Sequence, residues 1–159
     1  MKTKAHLCVA FLLLGLAVGG CTPIEIIIDN PQAAVLAGTW DTAAASDGNG
    51  AYGIDFLWHL ADRTNIGRVR YTPTITRAGT YTVSIWWSAD PNRTTDQPVI
   101  VHDANGNTTY HVNLQQNGNQ WFPLGQHTFN AGTAGYIEFT TDTDDGYCNA
   151  DAVRLVDGT

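Results

Sequence analysis

Apolar and polar residues alternate through Thr80-Tyr81-Thr82-Val83-Ser84-Ile85-Trp86-Trp87, which sets Tyr81, Val83, Ile85 and Trp87 on one face. Strand side chains repeat with period two, so this face predicts a core strand and turns Trp86 the other way. Similar runs predict strands near residues 24–28, 54–58, 67–71, 99–103, 108–114, 120–123, 126–130, 136–141 and 150–156. Gly or Asn-Gly punctuates them roughly every ten residues, and no stretch carries the 3.6 period of an amphipathic helix. Asn105-Gly106 and Asn117-Gly118 offer the positive φ that tight connections need, and the first lies between two strand-like runs as a hairpin should. Residues 41–50 and 88–95 read as polar loops. The expectation is an all-β fold, a jelly-roll-like antiparallel β-sandwich.

The N-terminus breaks the alternation. Lys2 and Lys4 precede an apolar run from Leu7 to Val18, which ends in Val18-Gly19-Gly20-Cys21. The run is shorter than the about 20 residues a spanning helix needs, and it has the layout of a secretory signal. Its end resembles a bacterial lipobox, which implies removal of residues 1–20 and lipidation of Cys21. Ordinary secretion is the alternative. Residues 21–23 then form a short tether and 24–159 the domain. Thr22 in place of aspartate resembles the sorting pattern of outer-membrane lipoproteins.

Charge and cysteine content narrow the partners. The formal charge is −7 over 159 residues, and all six arginines and fifteen acidic residues lie beyond the leader. Such a surface disfavours phosphate backbones, so nucleic acid is excluded as an expected partner, whereas neutral glycans or a basic protein surface fit better. Cys8 leaves with the leader and Cys21 is the lipidation position, so Cys148 has no disulfide partner. In the alternating run around it, Cys148 reads as a small buried hydrophobe.

From Ile24 onward the chain is similar to a known family. The matching pieces include Ile27-Ile28-Asp29-Asn30, Gly38-Thr39-Trp40, Tyr52-Gly53, Tyr71-Thr72-Pro73 and Ala78-Gly79-Thr80-Tyr81-Thr82-Val83. They continue through Pro91-Asn92-Arg93-Thr94, Val101-His102-Asp103-Ala104-Asn105-Gly106 and the closing Ala150-Asp151-Ala152-Val153-Arg154-Leu155. These resemble the golvesin C-terminal-like domain, also called the xanthan-lyase carbohydrate-binding-like domain. The resemblance implies a non-catalytic accessory sandwich that binds polysaccharide or a cell-surface glycan. A structural subunit that self-associates through its sheet edges is the rival reading.

Sugar recognition on sandwiches relies on aromatic rings against pyranose faces, aided by amide and guanidinium groups that match hydroxyls. Of the five tryptophans, Trp40, Trp87 and Trp121 are expected in the core, which leaves Trp58 and Trp86. The expected glycan-binding residues are therefore Tyr52, Trp58, His59, Trp86, Asn92 and Arg93. Arg93 has a second reading as a latch on backbone carbonyls or a neighbouring acid. Asp142, Asp144 and Asp145 form a solvated turn, with calcium as the minority alternative because three carboxylates supply only part of its six to eight oxygens. Asp29 and Asp151 interrupt apolar strands, so they are expected to hold loops or bond arginines such as Arg70 or Arg154, with a catalytic acid as the alternative. The histidines show neither metal-ligand spacing nor a neighbouring serine elbow, so no catalytic residue and no cofactor is expected.

Overall fold

A computed structural model describes residues 22–45 and 50–158. The expected leader, the lipidation position Cys21 and the acidic Asp47 lie outside the described residues. The chain runs β1 (Glu25–Asp29), β2 (Ala34–Ala37), β3 (Asp41–Ala44), β4 (Asp55–Leu60), β5 (Arg68–Tyr71), β6 (Gly79–Trp86), β7 (Gln97–Asp103) and β8 (Gly106–Val112). It continues with β9 (Phe122–Phe129), β10 (Tyr136–Thr140), β11 (Tyr147–Ala150) and β12 (Ala152–Asp157). Every named pairing is antiparallel. One sheet has the order β1-β12-β6-β9, a second β2-β5-β10-β7-β8, and a third, smaller one β11-β4-β3.

The first two sheets bury a common core. Tyr81, Val83, Ile85, Val153, Leu155 and Phe129 come from one, and Val69, Tyr71, Val99, Val101, Ile137 and Phe139 from the other. Fully burying each such aliphatic side chain is worth about 1.5–3 kcal/mol. The row Tyr81, Val83, Ile85 and Trp87 is buried as its alternation predicts, and Trp86 is turned outward and only half-buried. Cys148 is a buried free thiol whose pKa burial raises to about 12, which suits packing and not nucleophilic chemistry.

Several expectations change. The runs 120–123 and 126–130 are one strand, β9, which continues through Gly125 at φ 151° beside a register shift at Val83/Ser84 of β6. Conversely, the run 150–156 is two strands in different sheets. It breaks at Asp151, where the chain leaves the three-stranded sheet and enters the four-stranded one. The polar stretch 41–50 begins with β3, and β2 has no counterpart among the expected strands. Trp121 is not a core residue: it is half-buried on the surface, while its neighbour Phe122 packs edge-on against Trp87 at 5.4 Å. At the second turn Asn117, not Gly118, takes positive φ (56°), while a side chain on Gly118 would meet Ala89 at 2.7 Å.

Candidate functional site

The three-stranded sheet presents one face to solvent. Ala43 pairs with Phe56, and Trp58 lies two residues further along β4, so period two sets these side chains on the same side. Tyr147 pairs with Leu60 on that face, and its ring meets Trp58 edge-on at 5.3 Å. The loop after β6 runs alongside β11: Tyr147 N donates to Asn92 O at 3.0 Å, and Thr94 N donates to Tyr147 O at 3.1 Å. Together Ala43, Phe56, Trp58, Asn92, Arg93 and Tyr147 enclose an open pocket of about 250 Å³.

Two devices hold the loop. Gly146 adopts φ +65°, and a Cβ there would lie 2.5 Å from the Arg93 carbonyl carbon, so only glycine lets the two segments approach. The Asp145 carboxylate accepts from the Thr94 hydroxyl at 2.7 Å and the Thr95 hydroxyl at 2.9 Å. These bonds hold its pKa below the ordinary carboxylate value. Asp144 pairs instead with Arg63 at 2.6 Å, so the Asp142–Asp145 turn directs its acids to different protein partners. Among the described residues no group of three or more His, Cys, Asp or Glu is arranged to hold a metal ion.

Arg93 is half-buried at the pocket wall. Its Nε donates to Ser88 O at 3.2 Å and its Nη1 to Asn92 Oδ1 at 2.8 Å, with the guanidinium 5.3 Å from the Phe56 ring centre. The latch reading thus holds for carbonyl and amide oxygens. Burial lowers its pKa, opposed by the fields of Asp90 and Tyr147.

The six expected binding residues do not form one site. Trp58, Asn92 and Arg93 gather at this pocket. Tyr52 and Trp86 belong to a separate aromatic cluster with Trp121, whose ring centres lie 5.0–5.6 Å apart. There Trp86 Nε1 donates to Gly50 O at 2.9 Å, and Arg154, paired with Glu25 at 2.6 Å, lies 5.7 Å from the Trp121 ring. His59 joins neither group; it tilts against Trp40 at 5.5 Å, with Nδ1 2.5 Å from Leu60 O. Phe56 and Tyr147 escaped the sequence reading. The signal for Tyr147 was present, because alternation beside a buried Cys148 turns it outward.

Asp29 and Asp151 hold loops, as expected, but neither bonds Arg70, which pairs with Glu138, or Arg154. Asp29 caps the 3-10 turn Asn30–Gln32 and accepts from Asn30 N at 2.9 Å. Asp151 is fully buried and accepts from Tyr52 N at 3.0 Å, while its Oδ1 has no hydrogen-bond partner among the described residues. Burial raises its pKa to about 8, with Asp29 and Asp55 adding to the shift and the Tyr52 amide opposing it. Neither acid lines the pocket.

Known proteins share this architecture. The chain is 33% identical over 137 residues to a xanthan lyase of Bacillus sp. (strain GL1), covering 83% of this chain and 14% of that protein. The structure of a Paenibacillus xanthan lyase superposes with a TM-score of 0.77 at 36% identity, over 85% of this chain and 13% of that one. The chain therefore spans only about a seventh of the length of these relatives. A family 35 carbohydrate binding module from Clostridium thermocellum shares the fold at a TM-score of 0.57 and 16% identity, covering 82% of this chain and 97% of that one. Residues 26–157 match the profile of the Golvesin C-terminal domain, and the chain belongs to that family.

Proposed function

We propose that this protein is a non-catalytic carbohydrate-binding module, and that the pocket between Trp58, Tyr147, Asn92 and Arg93 receives a sugar unit of an extracellular polysaccharide. The observation that carries this reading is the pocket itself: two half-exposed rings set edge-on, with an amide and a guanidinium at the rim, on a sandwich shared with carbohydrate binding modules. At about 250 Å³ it lies just below the roughly 300–1,000 Å³ usual for drug-sized ligands, a size suited to one sugar residue. The rings offer apolar faces to a pyranose, and the polar rim offers donors to its hydroxyls.

Titration with xanthan, the polymer named in the relatives, beside a panel of neutral polysaccharides tests the reading. Saturable binding that shifts the Trp58 and Tyr147 resonances is expected. Silence across the whole panel overturns it.

The apolar leader and Cys21 support an extracytoplasmic, membrane-anchored placement, with two or more acyl chains giving firm attachment where one gives only marginal binding. The mass of the mature N-terminus checks this: a diacylglyceryl addition on Cys21 is expected, and an unmodified cysteine refutes the anchor. A second reading, self-association, is favoured by the edge strand β2, whose Val35 and Leu36 are each 49% exposed. Light scattering that rises with concentration would select it.

A further inference from the structure

Arg93 differs from every other arginine of the chain. All six lie in the described residues. Arg63 pairs with Asp144, Arg68 and Arg70 share Glu138, Arg77 pairs with Asp157, and Arg154 pairs with Glu25. Among the described residues Arg93 alone has no carboxylate partner; its two hydrogen bonds go to a carbonyl and an amide oxygen, both uncharged, and neither uses Nη2.

Among the described residues no nearby acid forms an ion pair with Arg93, although the field of Asp90 reaches it. Asp90 accepts from Asn92 N at 2.9 Å, and both Asp145 oxygens are taken by Thr94 and Thr95. None of the six described residues lining the pocket is acidic. Arg93 is therefore a partly dehydrated cation whose burial disfavours its charge more than the field of Asp90 restores it, with no ion-pair partner among the described residues.

We propose that the pocket selects a saccharide that bears a carboxylate, a hexuronate unit or an equivalent acidic sugar. Its carboxylate lies on the free Nη2 edge of Arg93 and its ring against Trp58 and Tyr147. A planar guanidinium matches a carboxylate through two parallel bonds, which here would use Nη2 and the second hydrogen of Nη1, since the Nε hydrogen goes to Ser88 O. The net charge of −7 does not oppose this at physiological salt. The Debye length there is about 8 Å, so distant surface acids are screened while a contact pair in the pocket is not. This inference rests on the pocket being the carbohydrate site.

The test holds sugar shape constant and varies only charge. Methyl glycosides of glucuronate, galacturonate and mannuronate, each beside its uncharged methyl ester, are titrated into the protein at physiological ionic strength, with the Trp58 and Tyr147 resonances reporting the site. At least one acid should bind about tenfold or more tightly than its ester. That ratio should fall to about one in R93Q and be partly kept in R93K. Equal affinity of acids and esters at the pocket overturns the acidic preference and leaves the carbohydrate reading standing. Absence of any shift at Trp58 and Tyr147 overturns both. Should R93Q fail to fold, the acid-to-ester ratio of the unaltered protein decides alone.

Discussion

The Trp58–Tyr147 pocket and the Tyr52–Trp86–Trp121 cluster both combine partly exposed aromatic rings with an arginine, and their polar groups differ. At the Tyr52–Trp86–Trp121 cluster the rings pack on one another, the Trp86 indole nitrogen is bonded to Gly50 O, and Arg154 is neutralised by Glu25. At the Trp58–Tyr147 pocket the rings leave space between them and the loop, and Arg93 forms no ion pair among the described residues. A group of aromatics whose donors are already satisfied closes a surface, and one whose donors are left over opens it to a ligand. Ring count alone does not separate the two.

The largest expected contrast comes from pH. Asp151 supports the Tyr52 segment and not the pocket, and burial pushes its pKa up to about 8 from the ordinary carboxylate value of 3.8. Between these values the folded state holds a proton that the unfolded chain has lost. Stability from this group is therefore greatest below about pH 4, falls as pH rises to about 8 and levels off above. The span between the two values is about four pH units, which at about 1.4 kcal/mol each bounds the loss at about 6 kcal/mol. Denaturant midpoints from pH 5 to 9 should show this slope in the native protein and a flatter one in Asp151→Asn, and parallel slopes would refute the assignment.

Next in size, Trp58→Ala should weaken polysaccharide binding about thirtyfold, near 2 kcal/mol, with the melting transition little moved. The mirror substitution, Trp121→Ala, should lower stability by about 1–2 kcal/mol through lost ring packing and leave affinity within about twofold. If Trp121→Ala abolishes binding while Trp58→Ala does not, the two regions have been assigned the wrong way round. The smallest effect should come from Asp145→Asn, which weakens the ties to Thr94 and Thr95 that steady Arg93. Calorimetry should register an affinity loss of about twofold, and an unchanged constant would mean that the loop is held by its backbone bonds alone.

The sandwich was legible because its central strand alternates strictly: Tyr81, Val83 and Ile85 could face only one way, and that fixed Trp86 on the other. Alternation carries no such information for Ala34–Ala37 or Asp41–Ala44, which are strands because of the partners they find in β5 and β4. Trp121 and Phe122 are both large and adjacent, so period two demands that one face inward without saying which. The structure buries the edge of Phe122 against Trp87. Half of the candidate site was readable, since Trp58, Asn92 and Arg93 do meet. The outward turn of Tyr147 was readable, but its meeting with Arg93 was not, because that contact is a bridge between segments more than fifty residues apart, set by a glycine whose role depends on φ.

Asp151 is the single residue between β11, which carries the pocket's Tyr147, and β12, which is clamped between β1 and β6. If the pocket holds a polymer, part of the load on Tyr147, beside that carried by the routes through β4 and the Asn92–Thr94 loop, would pass through that corner into the middle of a four-stranded sheet. There, antiparallel bonds on both flanks carry the strain together instead of peeling open in turn, so a small domain can serve as a grip.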